Sequence, residues 1–188
     1  QKLALLHPQG ILSFEQIEAA VLNVARYDVF KLGEAVLAGQ VSRALRMLEG
    51  LEAEGEAAVL VHWTLAEDIR GLKRIKDAMA DGKPLPMALK EARVWGMKER
   101  LFERVLPALA DHQLAHLVQA ASVCDGVIKG LKHPEWPLDP WSALKRLMLL
   151  VMQQVASAPA PGQRNAASNR STSSGQLAGT TPSASPAS

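Results

Sequence analysis

The sequence predicts an all-helical bundle, on three observations. Apolar residues recur at three- and four-residue intervals through residues 1–156, and β-branched residues never alternate with polar ones over a strand's length. Glycines and prolines fall largely where those helical patterns stop. Apolar residues make up 48% of the 188 and charged residues 21%, which suffices for a packed core and a hydrated surface.

The elements follow in order. Residues 1–7, in "QKLALLHPQG", read as the closing turns of a helix stopped by Pro8 and Gly10, as expected of a piece of a longer chain. Ser13 caps the next helix and Gln16 completes its capping box, with Phe14, Ile17, Val21 and Leu22 on the apolar face. Asp28 suits the N-cap of a third helix that ends at Gly39 and packs through Phe30 and Leu37. Val41, Leu45, Leu48 and Leu51 define a fourth, stopping at Gly55. A long helix runs from about 57 to 79, with Val59, Trp63, Ala66, Ile69, Leu72 and Met79 near one stripe, and Asp81-Gly82 closes it.

Pro84 or Pro86 fits the first turn of a short helix through Ala92, and 97–106 is helical up to Pro107. Asp111 caps a helix that turns Leu114, Leu117, Val118, Ala121 and Ile128 inward and ends near Gly130. The loop "KHPEWPLDP" is stiffened by three prolines. Asp139 caps the last helix, with Pro140 in its first turn, through about Val155. Leu147 to Met152 are six apolar residues in a row, more than one face holds, so several neighbours or another subunit must cover them.

Beyond residue 158 the composition is Ser, Ala, Pro, Gly and Thr, which predicts a disordered tail. Three regions result. Residues 1–24 belong to an upstream domain, 25–156 form the bundle, and 157–188 form the tail. The tail contains no acid, only Arg164 and Arg170, so the rest balances 19 basic against 19 acidic residues. That neutrality argues against a general nucleic-acid coat. The N-terminus lacks the pattern of a signal peptide, and no apolar run reaches membrane-spanning length.

Chemistry is harder to find. Cys124 is the only cysteine, which excludes an internal disulfide and any multi-cysteine metal site. Phosphate loops, nucleophile elbows and zincin motifs are absent from the sequence. His112 and His116 stand at i,i+4, but no third ligand lies nearby, so no metal and no cofactor is expected. Asp125 has Lys129 at i+4, which suits a structural ion pair better than a catalytic acid. No catalytic residue is assigned.

Trp63, Trp95, Trp136 and Trp141 sit at helix stripes and junctions, where large aromatics wedge neighbours together. Tyr27, Phe30, Trp63, Trp95, Trp141, Leu147, Leu150 and Val151 are therefore the packing and interface candidates. Residues 70–104 hold ten basic against five acidic residues, and Arg70, Lys73, Arg74 and Lys76 form a candidate contact for DNA or an acidic partner. A nucleic-acid-binding helical domain centred there is the alternative reading.

Several stretches in order, "KLALLHPQG", "VARYDVFKLGEAVLAGQVSRALRMLEGLEAEGE", "VLVHWTLAEDIRGLKRIKDAMADG", "ARVWGMKERLFERVLPAL" and "LAHLVQAASVCDGVIKGLKHPEWPLDPWSALKRLMLLV", resemble the delta-subunit family of the bacterial DNA polymerase III clamp loader. The resemblance implies that residues 1–24 are the end of an AAA+-like lid domain and 25–156 the helical collar domain. It further implies a cytoplasmic protein of DNA replication whose collar joins other loader subunits in a hetero-pentameric ring. That ring meets the sliding clamp and primed DNA as a whole complex. The family serves within a DNA-directed DNA polymerase, a nucleotidyltransferase, but lacks a working nucleotide site itself. Its clamp-opening element belongs to an N-terminal domain not present in these residues.

Overall fold

The computed structural model describes residues 28–156. Tyr27, the upstream segment 1–24 and the tail 157–188 lie outside the described residues, as do the helices expected within 1–24. The described part is helical throughout, with no strand among the described residues. Its elements are α1 (28–37), α2 (Val41–Ala53), α3 (Ala58–Ala80), α4 (Leu85–Glu91), α5 (Met97–Val105), α6 (Asp111–Ile128) and α7 (Pro140–Val155).

Helix ends follow local chemistry. At the end of α1, Gly39 N–H donates to Val36 O at 3.0 Å and Gln40 N–H to Ala35 O at 3.0 Å. Gly39 adopts φ 73°, the left-handed conformation this closure needs. Equivalent bond pairs close α2, α3 and α6. The closure of α4 uses Arg93 instead, at φ 53°, with Arg93 N–H on Lys90 O and Val94 N–H on Leu89 O. Asp139 caps α7 as expected, its Oδ2 accepting from Ser142 N at 2.7 Å, with Pro140 in the first turn.

Two expected caps are corrected. Asp28 is already helical, so it does not cap α1. Asp111 is the first residue of α6, and Ala110 takes the cap position. The methyl side chain of Ala110 has nothing to accept with. Its N–H donates instead to Gln113 Oε1 at 2.7 Å, and Asp111 contributes a negative charge to the first turn.

α3 is the central helix. It packs most extensively on α6 and also meets α4 and α7, while α6 lies on α7 and α2 on α7. Val61, Leu65, Ile69, Leu72 and Ile75 form its buried stripe. The expected stripe through Val59 and Trp63 is corrected, since both are 52% exposed. Within "AVLVHWTLA" nearly every position is apolar, so periodicity alone did not fix which side faces inward.

α7 resolves the alternative posed by its apolar run. Leu147, Met148, Val151 and Met152 are buried against the chain's own helices, Leu150 is half-buried, and Leu149 remains 40% exposed. Neighbours on several sides therefore cover most of the run, and the surplus apolar surface there is small.

Polar side chains tie the shorter helices on. Arg104 of α5 donates to Leu37 O at the end of α1, at 2.5 Å, and Lys76 of α3 donates to Leu106 O just past α5, at 3.0 Å. Each satisfies a carbonyl that a helix end leaves without an intrahelical partner.

Candidate docking surfaces

The first surface grows from the register of α1 and α3. Phe30, expected to pack inward, is 43% exposed, while Val29 and Leu32 beside it are buried. With Val59 and Trp63 it leaves large apolar side chains on one face. Trp63 divides two clefts there. One, of about 270 Å³, is lined by Val29, Phe30, Leu60, Trp63 and Thr64. The other, of about 280 Å³, lies between α3 and α6 and includes Val59, His62, Arg70, Val118 and Asp125.

His62 is buried at the floor of the second cleft, with its Nε2 2.9 Å from Ala121 O. A carbonyl only accepts, so Nε2 carries the donated proton, and Nδ1 faces Asp125 Oδ1 at 3.7 Å. Asp125 Oδ2 pairs with Lys129 at 2.5 Å, the structural pair expected from the spacing. The imidazole thus bridges α3 and α6.

Three of the four basic candidates on α3 stand in ion pairs with neighbouring acids. Arg70 Nε lies 2.9 Å and Arg74 3.4 Å from the Glu67 carboxylate. Burial alone would raise the Glu67 carboxyl, but hydrogen bonds and charge from Arg70 and Arg74 outweigh it and hold the group below its ordinary value. Lys73 meets Asp77 at 2.5 Å and Asp111 at 3.1 Å, and hydrogen bonds to these two carboxylates raise its ammonium above the usual value. Lys76 serves the Leu106 carbonyl.

A deeper ion pair supports Phe30. Asp68 of α3 is buried, with Oδ1 2.5 Å from Lys98 of α5, and Lys98 Nζ lies 5.8 Å from the centre of the Phe30 ring. Asp68 Oδ2 is buried with no hydrogen-bond partner among the described residues. Burial pushes the Asp68 carboxyl up, against the opposing pull of Lys98.

A second surface occupies the turn from α4 to α5. Met87, Trp95 and Met97 are all more than half exposed, Trp95 at 62%. Arg93 at φ 53° and Gly96 at φ 67° shape the backbone on either side of Trp95. Lys90, Arg93 and Arg100 are exposed nearby in the chain. A third feature is the loop before α7. Arg146 donates to Glu135 O and stands 5.0 Å over the Trp136 ring, while Leu131 and Leu138 are exposed.

Of the sequence-selected aromatics, the structure brings Phe30 and Trp63 together, sets Trp95 in a separate patch and half-buries Trp141 at the start of α7. Leu147 and Val151 are core. His112 and His116 are both exposed on α6, and no group of three or more metal-ligating side chains forms among the described residues. Sequence reasoning missed Val59 as a surface residue and His62, Asp68 and Lys98 as a polar frame. A His and an Asp inside the long apolar pattern of α3 were the available signal.

The chain is 29% identical over 151 residues to the DNA polymerase III subunit delta of Escherichia coli, a match covering 80% of this chain. The chain is similar in sequence to the DNA polymerase III delta subunit. It spans 43% of that relative's length. The Bacillus subtilis DNA clamp loader delta protein is similar with a TM-score of 0.48 and 14% identity, over 70% of this chain and 37% of that one. No protein-family model matches the chain. No helix among the described residues is long and apolar enough to cross a membrane.

Proposed function

We propose that this delta relative is a non-catalytic part of a clamp-loader-type complex, joining other loader subunits through the bundle of residues 25–156. In that role it supports loading of the sliding clamp on primed DNA during replication, in the bacterial cytoplasm. The carrying observation is the 151-residue relationship to the delta subunit. The exposed apolar side chains of Phe30, Trp63, Met87, Trp95 and Met97 support it, because a bundle that works by assembly has apolar surface left over. Residues 1–24 are read as the end of a lid domain, and the tail receives no role.

The test is reconstitution with the other loader subunits. The chain is expected to co-elute with them in size-exclusion chromatography as one complex. Separate elution at micromolar concentrations, with helical circular dichroism intact, would overturn the reading.

A second reading concerns DNA, and one observation favours it. Trp95 presents an exposed indole close in sequence to the exposed Lys90, Arg93 and Arg100, the combination of aromatic face and cations that single strands stack on. Arg70, Lys73 and Arg74 on α3 stand in ion pairs with acids, so this second reading also draws on the basic residues of the turn. Trp95→Ala is expected to weaken binding of primed DNA by the assembled complex by ~1–3 kcal/mol, roughly 5- to 150-fold. Unchanged affinity would remove this reading and leave assembly untouched.

A further inference from the structure

Trp63 stands between two clefts of different character. The cleft between α3 and α6 includes polar atoms with bonding capacity to spare, and the cleft beside Phe30 is largely apolar. We propose that the first receives the carboxamide of an asparagine or glutamine side chain, presented by an uncharged segment of a partner protein whose neighbouring apolar side chain enters the second. The inference rests on the geometry of the clefts and not on the assembly reading.

Two facing acceptors are the first argument. His62 is 6% exposed, and with its Nε2 proton given to Ala121 O, its Nδ1 is left as an acceptor. Nδ1 faces Asp125 Oδ1, which also only accepts, at 3.7 Å, too far for a hydrogen bond to join the two directly. An N–H2 nitrogen about 2.9 Å from each satisfies both, its two hydrogens bending off line by about 20°. An ammonium fits the same place, but Lys129 already neutralises Asp125 through Oδ2. The uncharged carboxamide is therefore the better match. Arg70 and Ser122, which also line the cleft, carry donors for its carbonyl.

The surroundings decide the kind of molecule. Val59, Trp63 and Val118 wall the cleft with carbon, which suits the methylenes of a side chain. On the other side of Trp63, Val29, Phe30 and Leu60 line the cleft for an apolar neighbour. Side chains two apart on an extended segment point the same way about 7 Å from each other, enough to straddle one indole. The cations beside the clefts are each held by an acid, Arg70 by Glu67, Lys98 by Asp68 and Lys129 by Asp125. Phosphates would have to compete with those carboxylates, whereas an uncharged segment disturbs none of them.

The test titrates the full chain with the peptide N-acetyl-Gln-Ala-Leu-amide, followed by nuclear magnetic resonance at the Trp63 indole N–H and the backbone of 118–125. Saturable shifts at both places are expected by millimolar concentrations. N-acetyl-Glu-Ala-Leu-amide brings a third acceptor in place of the donor and should bind about 5- to 10-fold more weakly. His62→Leu removes the Nδ1 acceptor and should weaken the glutamine peptide by a similar factor. Should that variant misfold, Asp125→Ala removes the other acceptor and gives a loss of the same sign. Equal affinity for the two peptides, binding that ignores both substitutions, or no saturation overturns the proposal. Tighter binding of an oligodeoxycytidine at the same indole overturns it in favour of nucleic acid. Shifts that grow with protein concentration alone overturn it in favour of a second copy. Each outcome is read on the isolated chain, so failure here is separate from failure of co-elution.

Discussion

Asp68 holds one carboxylate oxygen where a side chain on Gly33 would have to begin. A Cβ built on Gly33 would sit 2.7 Å from Asp68 Oδ2, closer than such atoms approach one another. With α1 and α3 this close, a side chain on residue 33 would force the Asp68 carboxylate to move. The same approach leaves Oδ2 buried and without a partner among the described residues.

Gly33→Ala should therefore destabilise the fold by ~1–3 kcal/mol through overpacking, despite the better helix propensity of Ala. Gly50, inside α2, has nothing within 4 Å of its built Cβ. Gly50→Ala should stabilise by about 0.5–1 kcal/mol through propensity alone. Urea denaturation of the two variants checks the pair, with midpoints moving in opposite directions at constant slope. Midpoints moving together would mean that the Gly33 contact yields freely.

Asp68 also gives stability a pH dependence of unusual sign. Its folded-state value is raised, chiefly by burial, so the native chain holds this proton more tightly than the unfolded chain does. Stability contributed by the proton is fully present below the unfolded value of about 3.9 and is lost as pH rises through the higher folded value. Asp68→Asn cannot ionise and lacks this loss. The stability of the variant relative to the parent should then climb as pH rises from about 4, whatever the other carboxylates do in both proteins. A difference that stays flat or falls across that range would contradict the burial of this charge as the cause.

Arg93 performs at the end of α4 what glycines do at the ends of α1, α2, α3 and α6. A side chain in the left-handed region costs about 1 kcal/mol, and Arg93 is exposed, so removing it forfeits little packing. Arg93→Gly should raise stability by ~0.5–1 kcal/mol, measured by thermal or urea unfolding. A loss of stability would show that the guanidinium makes contacts that outweigh the backbone cost.

Much of the bundle was legible because its helix ends are written in single residues. Gly39, Gly55, Gly82 and Gly130 stop helices where expected, and Asp139-Pro140 starts α7. Rotation about the helix axis was less legible. In α3 a long apolar stretch left Val59 and Trp63 indistinguishable from Val61 and Leu65, and only packing against α6 and α7 selects between them. Of the ion pairs on the basic face of α3, Arg70–Glu67 and Lys73–Asp77 stand at i,i+3 and i,i+4 and were open to reading from spacing. Lys73–Asp111 instead joins residues far apart in sequence that no local spacing announces. The Asp68–Lys98 pair was hidden for the same reason, since its partners lie 30 residues apart on different helices.

Cys124 supplies a built-in reporter of the α3–α6–α7 core. The thiol is wholly buried in α6, and burial, with a smaller push from the Asp125 charge, raises it to about 12. Only the thiolate attacks alkylating reagents, so both shielding and the shifted value suppress reaction in the folded chain. At pH 8 iodoacetamide should label native protein far more slowly than urea-unfolded protein, where the thiol returns to an ordinary value near 8.5. The slow labelling rate should then track global unfolding and accelerate in Gly33→Ala in proportion to its lost stability. Rapid labelling of the native chain, insensitive to that substitution, would show that α6 opens locally without the rest of the core.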